Sequence, residues 1–173
     1  MKVRLFWVIS IVFGLAVGGQ ALAKGGGAWQ AVSGEGYRVK MPGAPQWTTE
    51  NHKSFIGDVV EKTGTVRTAT GNYSVSVTEI PGIGKAFGGD LLEKAKDGLL
   101  KENGGTELTF EKTTFAGQKA KVLTYQNVGG QPFGKAYFTM YKKLLFVLVA
   151  TGPSVDAKSF SQFFNSFAIV PES

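Results

Sequence analysis

Leu144-Leu145-Phe146-Val147-Leu148-Val149-Ala150 is an unbroken apolar run that follows the basic pair Lys142-Lys143. No polar residue alternates within it, so it predicts a strand covered on both faces rather than one with a wet side. The chain around it must supply those two covers. On the C-terminal side, a helix from about residue 154 carries Phe160, Phe163, Phe164 and Phe167 at i, i+3, i+4 and i+7, a stripe that belongs against a sheet. On the N-terminal side, residues 107–115, 119–128 and 134–141 read as strands. Ala116-Gly117-Gln118 and Gly129-Gly130-Gln131-Pro132 separate them into a meander.

Further upstream, a helix is expected after Asp90. Asp90 is a suitable N-cap, Glu93 stands three positions on as in a capping box, and Leu92, Ala95 and Leu99 recur at helical spacing up to Asn103-Gly104-Gly105. Residues 58–80, rich in Val and Thr and split at Gly71-Asn72, predict a long hairpin with Tyr73, Val75 and Val77 on one face. Tyr37-Arg38-Val39-Lys40-Met41 alternates and stops at Pro42-Gly43-Ala44-Pro45, a short strand and its turn. The sum is an α+β domain, an antiparallel sheet of about six to eight strands layered with two main helices.

The start of the chain has a different purpose. Lys2 and Arg4 precede an apolar segment over 5–17, and Ala21-Leu22-Ala23 supplies a small-x-small site. These are the three regions of a secretory signal peptide over 1–23, and its apolar part falls short of the roughly 20 residues a membrane-spanning helix needs. Residues 24–28 form a glycine-rich leader, and 29–173 the folded domain beginning at Trp29. The whole chain has 173 residues and net charge +6; the leader holds two of the 19 bases and none of the 13 acids, which leaves 150 residues at +4. The expected location is the periplasm or the extracellular medium, with no transmembrane segment once the leader is cleaved.

The Trp29 opening, the segment Gly36-Tyr37-Arg38-Val39-Lys40-Met41-Pro42-Gly43-Ala44-Pro45, the mid-chain helix, the apolar last long strand and Ser166-Phe167-Ala168-Ile169 together resemble small exported proteins of the PsbP/Mog1-like fold. That group includes photosystem extrinsic subunits, a nuclear-transport factor and many bacterial exported proteins. The resemblance implies a fold and a tendency to bind partners. It transfers no metal ligand or interface residue to any position here.

Composition closes off several chemistries. With no Cys there are no disulfides, thiolate nucleophiles or thiolate metal sites, and one His leaves no multi-histidine site. That residue, His52, lies in a polar stretch and is the candidate base of a hydrolase, with Glu50 to orient it. Gly82-x-Gly84-x-x-x-Gly88-Gly89 precedes a helix but matches no phosphate-binding pattern, and Asp90 would repel an anion there. Catalytic, metal and cofactor residues are therefore expected to be none. The same loop offers Ile83 and Phe87 as apolar partner contacts.

Charge is segregated. Residues 112–143 hold six lysines and no acid, whereas 24–111 hold ten bases and eleven acids. By strand parity Lys119, Lys121 and Tyr125 share one side of their strand, and Lys135, Tyr137, Tyr141 and Lys143 share one side of the next, which suggests a single lysine and tyrosine face. Such a face suits an envelope or extracellular protein or another anionic surface. The absence of arginine in the stretch and the export leader exclude nucleic acid. The expected function is a non-enzymatic exported binding or accessory module; alternatives are a small-ligand carrier with a pocket between helix and sheet, and a hydrolase using His52.

Overall fold

The computed structural model describes residues 28–54, 57–80, 88–127 and 133–171. The proposed leader, Ile83, Phe87 and the side chain of His52 lie outside the described residues.

Ten strands and two helices follow in the order β1 (Gln30–Gly34), β2 (Tyr37–Met41), β3 (Gln46–Ser54), β4 (Gly57–Thr68), β5 (Gly71–Glu79), α1 (Gly88–Asn103), β6 (Gly105–Phe115), β7 (Gln118–Asn127), β8 (Phe133–Tyr141), β9 (Leu144–Gly152), α2 (Lys158–Asn165) and β10 (Ala168–Ile169). They make a seven-stranded antiparallel sheet, β3-β4-β5-β9-β8-β7-β6, and a three-stranded sheet, β1-β2-β10. The larger sheet is the one expected. The small sheet is a second layer that the sequence pattern did not separate from it.

The apolar run forms β9, the middle strand, paired with β5 on one side and β8 on the other. All nine of its residues are buried. Phe146, Leu148 and Ala150 face α2 and the small sheet, among Tyr37, Val75, Phe160 and Phe163. Leu145, Val147 and Val149 face α1, among Leu92, Ala95, Leu99 and Phe138. Each of the Phe, Leu and Val side chains contributes about 1.5–3 kcal/mol when fully buried, so this strand holds both layers to the sheet.

Several boundaries differ from the sequence expectation. Helix α1 begins at Gly88, which puts Asp90 inside the first turn; it meets the positive end of the helix dipole instead of acting as the cap. Helix α2 begins at Lys158, not near 154, because the Ser154 hydroxyl accepts the Asp156 N–H at 3.2 Å and forms a turn ahead of it. Phe167 lies past the end of that helix yet stays buried, stacked on Tyr37 at 5.9 Å and on Phe115 at 5.2 Å. The hairpin turns at Ala69-Thr70, not at Gly71-Asn72, because the Thr68 hydroxyl donates to the Gly71 carbonyl (2.8 Å) and accepts its N–H (3.1 Å).

Candidate functional site

The single lysine and tyrosine face does not form. Lys121 stands opposite Phe138, and Tyr125 opposite Gly134, while Tyr137 stands opposite Val122 and Lys135 opposite Thr124. Cross-strand partners share a face. The Lys119, Lys121 and Tyr125 set therefore looks toward α1, and the Lys135, Tyr137 and Tyr141 set toward α2 and the small sheet. Parity holds for the residues within each strand, but Lys143 falls past the end of β8 in the two-residue turn before β9; the register between the strands places the two sets on opposite sides.

On the α1 side most of this chemistry is structural. Tyr125 is fully buried beneath α1. Lys121 pairs with Glu93 of α1 and sits 4.5 Å from the centre of the Phe110 ring, while Lys96 of α1 sits 5.1 Å from the same ring and 2.8 Å from Glu107. Two cations thus lie against the Phe110 ring and tie the helix to β6 and β7. The hydrogen bond from Lys121 holds the Glu93 carboxyl below its ordinary value, helped by charge from Lys121 and Lys96 and opposed by desolvation. The hydrogen bond to Glu107 raises Lys96, against desolvation. Only Lys119 of this set is exposed.

On the other side, Tyr137 stacks on Phe115 at 4.3 Å and tilts against Phe164 at 4.8 Å, so its ring extends the α2 core. Lys135 lies 5.8 Å from the Tyr137 ring and Lys142 lies 5.6 Å from the Tyr141 ring. Lys143 pairs with Glu79 across the sheet. Both members are exposed, so this pair contributes about 0–1 kcal/mol. Ala120 pairs with Thr139 and Tyr141 with Leu144, which brings the β6–β7 turn at Ala116-Gly117 beside the β8–β9 turn at Lys142-Lys143. Lys119 and Lys142 are exposed at that end of the sheet.

Both helix–sheet interfaces are packed with side chains among the described residues. A groove of about 170 Å³ lies elsewhere, between the β1–β2 turn and the sheet, lined by Glu35, Val60, Lys62, Val77, Glu79 and Leu144. It is smaller than the roughly 300 Å³ of pockets that enclose drug-sized ligands. Beside it, Trp47 of β3 lies on Gly64 of β4 with 49% of its surface exposed. No motif or periodicity marks Trp47, yet a tryptophan in a run of Thr, Glu, Asn and Lys is itself a signal, since such a strand has no core to bury it in.

Among the described residues there is no group of three or more His, Cys, Asp or Glu side chains that could hold a metal ion, and no helix is long and apolar enough to cross a membrane. One carboxylate is deeply buried. Glu61 is 3% exposed and accepts hydrogen bonds from the hydroxyls of Ser76 and, at 3.3 Å, Thr63. Glu50 is its cross-strand neighbour on β3.

The layers and strand order define an α+β domain with a PsbP-like fold. The cyanobacterial PsbP of Synechocystis sp. PCC 6803, known from a solution structure, superimposes with a TM-score of 0.54 at 17% identity, covering 88% of this chain and 98% of that one. At that identity the likeness is one of fold, and it agrees with the resemblance read from the sequence. By sequence, the chain matches no protein family and no curated protein.

Proposed function

We propose that the protein is an exported, non-enzymatic accessory module that docks an anionic partner at one end of its main sheet. The observation that carries this reading is the adjacency of two hairpin turns drawn from a stretch with six lysines and no acid over 112–143. Lys119 and Lys142 are exposed there, and Tyr141 lies half-buried beneath Lys142. Lysines at this exposed end of the sheet, Lys119 at the start of β7 and Lys142 on the β8–β9 turn, raise the local potential without needing a cavity. The PsbP-like fold and the leader over 1–23 support an exported accessory role; the leader is taken to be removed on export, leaving 24–28 as a tail before the domain at 29–173.

Crosslinking from the native envelope tests this, with the mature domain as bait and a Lys119→Glu/Lys142→Glu variant beside it. A partner captured by the first and lost by the second, with thermal unfolding unchanged, is the expected result. Equal capture by both would remove the turns from the binding surface.

A further inference from the structure

The β3–β4 side of the main sheet carries a surface that neither the core nor the lysine turns account for. Trp47 and Gly64 are direct cross-strand partners. The six-membered part of the indole lies on the glycine so closely that an added β-carbon would stand 2.8 Å from Cη2 and Cζ3. Glycine gives the ring a flat seat on the backbone, and half of the side chain remains open to solvent. An indole fixed in this way loses little conformational freedom when something stacks on its open side.

The next position along the same face of β4 is Lys62, whose Nζ lies 3.7 Å from Oε2 of Glu35. Beyond it is the groove of about 170 Å³, floored by Val60, Val77 and Leu144 and walled by Glu35, Lys62 and Glu79. Glu79 is itself paired with Lys143. The two acids and two bases cancel, so the surface offers hydrogen-bond donors and acceptors with no net charge.

An occupant must present an apolar face to the indole and hydroxyls to both an ammonium and a carboxylate. A polyanion would meet Glu35 and Glu79, and a polycation would meet Lys62. A pyranose ring has the required chemistry: its C–H face is apolar, and its hydroxyls both donate and accept. We infer that Trp47, Lys62 and Glu35 form a subsite for a neutral oligosaccharide. The two-residue step between Gly64 and Lys62 spans about 7 Å of strand, which places one sugar ring on the indole and its neighbour over the groove. The groove borders the β8–β9 turn through Glu79 and its partner Lys143, but Trp47, Lys62 and Glu35 are left intact by the Lys119→Glu/Lys142→Glu change, so the two proposals are tested apart.

The test is calorimetric titration of the mature domain with neutral oligosaccharides of glucose and of N-acetylglucosamine. A uronic acid oligosaccharide and an extended Gly/Ser-rich peptide serve as comparators. Saturable binding of at least one neutral oligosaccharide is expected, unaffected by added salt because no charge is neutralised. It should weaken by about tenfold or more in Trp47→Ala. A Glu35→Ala/Lys62→Ala variant, altered only at exposed positions, should also bind more weakly while melting as the parent does. No binding by any neutral oligosaccharide, preference for the anionic sugar or the peptide, or unchanged binding in both variants would overturn the inference.

Discussion

Tyr125 of β7 lies across Gly134 of β8: a β-carbon at residue 134 would fall within the space occupied by the ring's Cζ and hydroxyl. The same ring reaches Gly105 at the start of β6, where an added β-carbon would stand 2.9 Å from Cδ2. Two glycines therefore clear the path that lets a tyrosine lie flat under α1.

The arrangement has opposite consequences for its two members. Gly134→Ala should lower stability by about 1–3 kcal/mol, the usual range for overpacking a filled core. Tyr125→Phe should raise it by about 1 kcal/mol, because the Tyr125 hydroxyl is buried without a hydrogen-bond partner and an orphaned polar group costs about 1–3 kcal/mol. Urea unfolding of both variants checks the pair. A phenylalanine variant less stable than the parent would mean that the hydroxyl is satisfied in solution.

The elements that could be read from sequence are those whose pattern is local. β9 is apolar on both sides because both sides are covered, and β2 alternates because only Tyr37, Val39 and Met41 turn inward. β3 escaped notice since its residues, Gln46-Trp47-Thr48-Thr49-Glu50-Asn51-His52-Lys53-Ser54, show no such alternation; an edge strand makes fewer demands on its side chains. The lysine and tyrosine face failed for a different reason. Parity is a property of one strand, whereas the facing of two strands depends on their register, and that is fixed by the turn between them and by the whole sheet. The acids that answer the lysines come from afar: Glu93 is 28 residues from Lys121, and Glu79 is 64 from Lys143. No window of sequence contains both partners of either pair.

The two-residue turn between β6 and β7 gives a stabilising prediction. Phe115 and Gln118 are paired, and the residues between them, Ala116 and Gly117, have φ of 50° and 77°. Positive φ at both positions is the type I′ geometry, which favours Asn-Gly. Alanine there bears the strain of a left-handed backbone; its half-buried methyl rests against the core on the α2 side, an atom that Asn keeps as its β-carbon. Ala116→Asn should raise the unfolding free energy by about 0.5–1 kcal/mol without altering the fold. An unchanged or lowered midpoint in thermal unfolding would show that the turn relaxes to another conformation.

Alkaline unfolding follows from the buried phenols. Burial pushes Tyr37 up to about 12 and raises Tyr125 further. Tyr73 is raised as well, with burial outweighing a hydrogen bond with Ser159 that acts in the opposite direction. In the unfolded chain each would titrate near 10. Between these values the folded state keeps protons that the unfolded state has released, so stability is fully present below pH 10 and falls as pH rises toward 12. Phenolate absorbance followed alongside circular dichroism should show no more than two of the five tyrosines ionising before the fold is lost. The remaining three should appear in one cooperative step with unfolding. Ionisation of three or more in the intact protein would mean that the Tyr37, Tyr73 and Tyr125 sites open to water without global unfolding.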